Sequence, residues 1–172
     1  ILSTGDELLS PDQPLTPGKI RDANSYSLAA LVRQHGGIPI RFAPAADSID
    51  AVRIRFEEAL AEQPDVILSS AGVSVGVFDV VRTVIAEIGH IDLWRINIRP
   101  GKPLAFGQVR GVPFFGLPGN PVSAMVTFDV FVRPALLNLG GRGDDALIVE
   151  AALERPIRSD GRRTFVRVKL RR

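Results

Sequence analysis

Apolar residues recur along the chain in two alternating rhythms. Short runs rich in β-branched residues at 38–42, 66–68, 91–98 and 112–115 predict strands. Between them, residues 25–35 carry Leu28, Leu31 and Val32 on one face and stop at Gly36-Gly37, a helix with a glycine exit signal. Residues 49–62 repeat the pattern after Asp47-Ser48, where either residue can serve as N-cap. Residues 79–88 predict a third helix closed by Gly89, and 121–139 a fourth that ends at Gly140-Gly141, with Pro134 expected to kink it. Strands alternating with helices at this spacing predict an α/β fold: a parallel or mostly parallel sheet with helices on both faces.

After Gly141 the pattern changes. A polar stretch leads to two more strand-like runs, 147–153 and 164–170, around a turn at 159–162. Two strands do not form a stable domain alone, so the tail reads either as an incomplete second domain or as a hairpin packed on the first. The expected division is an α/β domain over residues 1–141, then a linker and the first strands of a truncated small β domain over 142–172. The opening "ILSTGDELL" starts in the middle of a strand-turn pattern, so the chain is expected to be a core removed from something longer.

Composition narrows the field. Hydrophobic residues make up 45% and charged residues 23%, which sets disorder aside. A net charge of +2 is too dilute for nucleic acid, which takes a concentrated basic stripe. The absence of cysteine excludes a disulfide framework, a thiolate metal site and a cysteine nucleophile, and fits a reducing compartment. No uninterrupted apolar run reaches the roughly 18 residues of a membrane helix, and no signal peptide is visible. The expectation is a cytoplasmic protein without nucleic-acid or membrane partners.

In an open parallel sheet ligands bind beyond the carboxyl ends of the strands, so the loops there carry the candidate chemistry. The first, "STGDEL", returns through "GKIRDANS"; Asp6 and Glu7 suit a hard cation such as Mg²⁺, or Asp6 makes an Asx turn and Glu7 is solvated. The second, "SSAGVSVGVFD", has Gly72, Gly76 and Ser74 where backbone can approach a phosphate or a flat heterocycle. Asp79 follows at a helix start, either as a cap complementing the dipole or as an acid working with a metal or a proton. This loop is neither a P-loop nor a dinucleotide fingerprint. In the third, "LWRINIRPGKP", alternation places Arg95, Asn97 and Arg99 on one strand face, with Lys102 on the following Pro-Gly turn. Such cations suit an anion of several charges, the alternative being a solvated edge strand. In the fourth, "FFGLPGNPVSAM", Pro121 takes the first helical position and Gly119 admits close approach. The amides of Val122 and Ser123 and the Ser123 hydroxyl are expected to point at an anion above the helix.

Taken in this order and spacing, "STGDEL", "GKIRDANS", "SSAGVSVGVFD", "RPGKP" and "GLPGNPVSA" resemble the molybdopterin molybdotransferase family, the MoeA proteins and the E domain of gephyrin. The match covers about residues 1–141, the MogA-like three-layer domain, and the tail "GRRTFVRVKL" resembles the opening strands of that family's small β domain. The resemblance implies an enzyme that inserts molybdate into adenylylated molybdopterin and releases AMP, requires Mg²⁺, and works as a homodimer with its site between subunits. By resemblance Asp79 and Asp47 are the catalytic carboxylates, and Asp6 with Asp79 would hold Mg²⁺. Gly72 and Ser74 would admit the pterin or nucleotide. Arg99, Lys102, Pro103 and the turn of Pro118, Gly119, Asn120, Pro121 and Ser123 would bind pyrophosphate, terminal phosphate or molybdate. Arg167 matches an arginine that the β domain contributes to the molybdate region.

The chain departs from the family pattern at Ala71, where a glycine is common, at Ala23, where a serine is, and at Arg95 and Arg99, where lysines are frequent. Three other readings stay open. The adenylyltransferase of the preceding step has a similar domain but shows "GGTG"; a competence-damage-type hydrolase shares "GDELL" but carries a later aspartate pair; a gephyrin-like scaffold would be non-catalytic. The chain by itself is expected to bind ligand weakly and turn over slowly, if at all.

Overall fold

A strand needs a hydrogen-bonding neighbour, and which runs become strands is decided by which find one. The computed structural model describes residues 1–70, 78–143, 148–158 and 161–169, the side chains of Phe78, Asp79 and Trp94 excepted. In chain order the elements are β1 (Leu2–Ser3), β2 (Leu8–Leu9), β3 (Ile20–Arg21), α1 (Ala23–Gln34), α2 (Ile49–Ala61), β4 (Ile67–Ser70), α3 (Phe78–Ile88), β5 (Gly89–Trp94), β6 (Ile98–Arg99), β7 (Ala105–Val109), β8 (Val112–Leu117), α4 (Pro121–Thr127), a π-helical turn (Phe128–Val132), α5 (Arg133–Leu139) and β9 (Arg163–Thr164).

The central five-stranded sheet has the order β1-β4-β8-β7-β5. β1, β4 and β8 pair in parallel, and β7 alone is reversed, running antiparallel to both β8 and β5. The mostly parallel α/β fold is therefore as expected. β7 itself is a strand that the hydrophobic pattern hides, because Gly107 and Gln108 interrupt its apolar run. It joins β8 through Arg110-Gly111, whose φ of 47° and 84° are the left-handed pair of a type I′ hairpin turn.

Four expected strands are corrected. Residues 38–42 lie beside β1, with Phe42 N donating to Ile1 O at 3.2 Å and Ala45 N to Ser3 O at 2.8 Å, but form only an isolated bridge, Thr4 with Ala45. Pro39 and Pro44 supply no amide donors, so a full ladder cannot form there. The run 91–98 splits in two: β5 ends at Trp94, Arg95 turns the chain with φ 69°, and Ile98–Arg99 becomes β6. Arg95, Asn97 and Arg99 therefore do not share one strand face. In the tail only Arg163–Thr164 is a strand, parallel to β6, and residues 148–158 hold none, having no ladder partner among the described residues.

Helices cover both faces. On one, Val52, Phe56 and Ala59 of α2 and Val81, Val84 and Ile85 of α3 bury against Leu2, Ile67, Phe114, Ala105 and Val109. The Phe56 and Phe114 rings lie 5.8 Å apart and are almost fully buried; each such side chain contributes roughly 1.5–3 kcal/mol. On the other face Leu28 and Val32 of α1 and Ala124, Phe128 and Val132 of the last helix cover Leu68, Phe115 and Leu117. Pro134 cannot donate and its ring crowds the carbonyl one turn back. The chain answers with the π turn just before it, where Arg133 N reaches Phe128 O.

By length and composition the helical run Pro121–Leu139 could cross a membrane, which the interruptions at Asp129 and Arg133 conceal when only unbroken apolar runs are counted. Here its buried side, including Phe128 and Val132, seats on the sheet.

Candidate functional site

The carboxyl ends of β1, β4 and β8 lie side by side, so the loops that leave them are neighbours. Ser3 pairs opposite Ser70 and Ser69 opposite Gly116, which puts Ser3, Thr4, Ser69 and Ser70 along the floor of this edge. All four are buried, between 0% and 3% exposed.

Beyond β1 the chain brings two carboxylates together across 41 residues. Asp6 N donates to Asp47 Oδ2 at 3.3 Å and Asp47 N to Asp6 Oδ1 at 3.0 Å. The α2 N-cap is Ser48, whose side chain accepts from Ala51 N, so Asp47 is released from capping and faces Asp6 instead. Burial pushes the Asp47 carboxyl above its ordinary value; the Asp6 amide bond works against this, and the negative charges of Asp6 and Glu7 add to it. Its Oδ1 is buried and has no hydrogen-bond partner among the described residues. Lys19, from "GKIRD", donates to the Asp6 carbonyl and ties the returning loop to this pair.

Asn24 links the next two loops. Sitting at the start of α1, which Asp22 caps by accepting from Ser25 N, its Nδ2 donates to Ser70 Oγ at 2.7 Å and to Gly119 O at 2.8 Å. The end of β4 and the turn after β8 are thereby joined. In that turn Pro118 is buried, Gly119 and Asn120 are exposed, and Pro121 opens α4. Asn120 is the N-cap: its Oδ1 accepts from Val122 N at 3.0 Å and Ser123 N at 3.3 Å. Those two amides are therefore held by the chain's own cap, contrary to the expectation that they face an anion.

The basic loop is seated from beneath. Gly101 has φ 108°, and a Cβ there would come within 2.5 Å of Thr127 Cγ2 and 3.0 Å of Ile98 Cδ1. This glycine lets the Arg99–Lys102 turn press against α4, with Ile96 N bonded to Lys102 O and Arg95 N to Leu104 O. Lys102 and Arg99 are exposed, and Pro103 is half-buried. Phe165 N donates to Arg99 O at 2.7 Å, so the segment leading to exposed Arg167 departs from the same place.

Thus the structure pairs Asp6 with Asp47, and joins the Pro118–Pro121 turn to β4 through Asn24. Gly72 and Ser74 lie outside the described residues, as does the Asp79 side chain, whose backbone is the second residue of α3. Sequence reasoning gave no role to Asn24, Ser3 or Thr4, and took Ser69 and Ser70 as hydroxyl donors of a loop, whereas they are the buried end of β4. The available signal was polar side chains sitting directly against apolar strand runs at "LSS" and "ILST". Among the described residues no group of three or more His, Cys, Asp or Glu side chains is placed to hold a metal.

The arrangement is that of an open α/β sheet with its polar, loop-lined edge at the carboxyl ends of parallel strands. The chain belongs to the family described as "Probable molybdopterin binding domain", whose model matches residues 1–138. It is 43% identical over 169 residues to the molybdopterin molybdenumtransferase of Nostoc sp. strain PCC 7120, covering 95% of this chain and 38% of that protein. The crystal structure of a molybdopterin biosynthesis MoeA protein from Pyrococcus horikoshii matches with a TM-score of 0.75 at 36% identity, over 82% of this chain and 34% of that one. A Mog protein from Mycobacterium ulcerans has the same fold, with a TM-score of 0.54, but at 18% identity, over 82% of this chain and 96% of that one. The chain thus spans less than half of the molybdenumtransferase and MoeA proteins it matches.

Proposed function

We propose that this chain is the core of a molybdopterin molybdotransferase, an enzyme that inserts molybdate into adenylylated molybdopterin and releases AMP. What supports the reading most is the 43% identity, along 95% of the chain, to a protein named for that transfer. Likeness to the Mog protein is in fold alone. In the full-length protein the site would lie between the subunits of a cytoplasmic homodimer.

The geometry suits the chemistry. Cleaving the adenylate separates two phosphates, so negative charge must be held at fixed positions while water attacks. Arg99 and Lys102, on a turn seated against Thr127, bring cationic donors to phosphate or molybdate oxygens. The turn of Pro118, Gly119, Asn120 and Pro121, with Ser123 behind it, offers backbone and hydroxyl close to the ligand. Asp79 and Asp47 are the carboxylates to orient water or take its proton, and burial raises the pKa of Asp47. Gly72 and Ser74 take the pterin or nucleotide and Arg167 the molybdate, as the family resemblance implies.

The carboxylates also fit Mg²⁺. Asp6 and Asp47 each give one oxygen to the other's amide, and the buried Asp47 Oδ1 is left as an unused ligand atom. A hard cation bound by one or two carboxylates and substrate phosphates needs little more. Bound there, with Asp79 as a further ligand, Mg²⁺ would supply Lewis-acid stabilisation of the departing AMP.

The test is AMP release from adenylylated molybdopterin by the full-length protein, wild type against Asp79→Asn, with and without molybdate and Mg²⁺. The reading expects release that needs both and collapses in the variant. Formation of the adenylate from ATP would replace it with the preceding adenylyltransferase. No release by a folded dimer would leave a scaffold.

A further inference from the structure

Two prolines make the turn at Gly119 stiff within itself, but stiffness does not settle where the turn stands relative to β1 and β4. Asn24 does that. Its carboxamide has two N–H bonds and both are used, one on Ser70 Oγ at 2.7 Å and one on Gly119 O at 2.8 Å. The carbonyl of Gly119 can only accept, so the amide cannot flip without setting oxygen against oxygen. These contacts bridge 46 and 95 residues of sequence, and the side chain making them is 9% exposed. Its Oδ1 is buried and has no hydrogen-bond partner among the described residues.

We infer that Asn24 is a positioning residue for the ligand turn: it fixes the Gly119 carbonyl to the carboxyl end of β4 and acts through that turn. This rests on the molybdotransferase reading for the identity of the reaction, though not for the anchoring itself.

The experiment uses the full-length protein with Asn24→Asp, Asn24→Ala and Ser70→Ala. Asn24→Asp keeps the shape and removes both donors; Asn24→Ala avoids a buried charge should the first fold poorly. Ser70→Ala leaves the Gly119 bond in place. Two readouts are taken: kcat and KM for AMP release, and amide exchange at Gly119, Asn120, Val122 and Ser123. Loss of one or two hydrogen bonds predicts about tenfold faster exchange in this turn for both Asn24 variants, with the rest of the core unchanged. In the Asn24 variants AMP release is expected to lose about tenfold in kcat/KM, carried mainly by KM, while Ser70→Ala, read by exchange alone, leaves the turn within about threefold of wild type. Wild-type exchange and KM in both Asn24 variants would overturn the proposal. So would protection lost evenly across the core, which marks a filler, or a rise in turn exchange in Ser70→Ala equal to that in Asn24→Ala. If wild type releases no AMP yet the turn alone loosens in the Asn24 variants, the anchoring stands and the transferase reading falls.

Discussion

Gly101 gives the sharpest test of how the basic loop is held. An alanine there meets two separate penalties. At φ 108° an L-residue is strained whatever the space around it, for about 1–2 kcal/mol. Its Cβ would also lie 2.5 Å from Thr127 Cγ2 and 3.0 Å from Ile98 Cδ1, and overpacking of this kind costs about 1–3 kcal/mol. Thr127 has little freedom to yield, because its hydroxyl donates to Ser123 O at 2.8 Å and to Ala124 O at 3.0 Å. The sum is about 2–5 kcal/mol, a fall of about 5–15 °C in Tm for a domain of this size. The penalties are separable: Thr127→Ser removes the obstructing methyl and keeps the hydroxyl. Calorimetry on Gly101→Ala, Thr127→Ser and the double variant should therefore show positive coupling of about 1–2 kcal/mol, the strain remaining. A Gly101→Ala Tm within about 1 °C of wild type, or strictly additive variants, would refute the close seating of this turn on α4.

The other predictions follow from charge and burial. The Asp47 carboxyl has its pKa raised above 3.8 in the folded protein, so the folded state binds the proton more tightly than the unfolded one. Its contribution to stability is full below that value and is lost as pH rises through the folded pKa. Asp47→Asn should therefore lose less stability than wild type across that window in urea titrations at successive pH; parallel curves would reject the shift. Arg110 makes an exposed ion pair with Glu57 and holds φ 47°. Arg110→Asn exchanges a pair worth at most about 1 kcal/mol for a residue suited to the I′ turn, so Tm should change by less than about 3 °C. Ser69→Ala removes a buried hydroxyl that has no partner among the described residues. Its Tm should hold or rise, and a loss above about 1 kcal/mol would show that the hydroxyl is bonded after all.

Much of the fold was legible because it rests on local rules. The helices at 25–35 and 49–62 were readable from apolar spacing and from Gly36-Gly37, and they appear as α1 and α2 with small shifts at the ends. What escaped was decided by partners distant in sequence. Residues 38–42 have strand composition, yet Pro39 and Pro44 deny them a ladder. β7 lacks strand composition, yet the Arg110-Gly111 turn folds it onto β8. The site divides the same way. The glycine-proline turns were visible as motifs, and Asp6 and Asp47 as separate acids. Their mutual bonding, and the reach of Asn24 from α1 to Gly119, are properties of the sheet edge, which no local spacing encodes. The Asn120 cap was missed for a different reason: a cap and an anion compete for the same amides, and the motif does not say which has them.

Along each central strand the chemistry changes direction, and that change argues for where the ligand enters. Leu2, Ile67, Leu68, Phe114 and Phe115 form an apolar body that two helical layers cover completely. One or two residues further on come Ser3, Thr4, Ser69 and Ser70, equally buried, and the hydroxyls of Ser3, Thr4 and Ser69 have no partner among the described residues. Each such group costs about 1–3 kcal/mol, and apolar side chains would remove that cost. A sheet built for stability alone would continue its apolar pattern to the end. Hydroxyls are the donors suited to a ligand rich in phosphate or oxo oxygens, which offers acceptors and few donors of its own. The same edge carries the Asp6–Asp47 pair and, through Asn24, the Gly119 turn. On the proposed reading, the polar floor and the loops above it would serve the same ligand. Ligand binding should stabilise the domain by more than its loop contacts alone, because it would also satisfy hydroxyls that have no partner among the described residues.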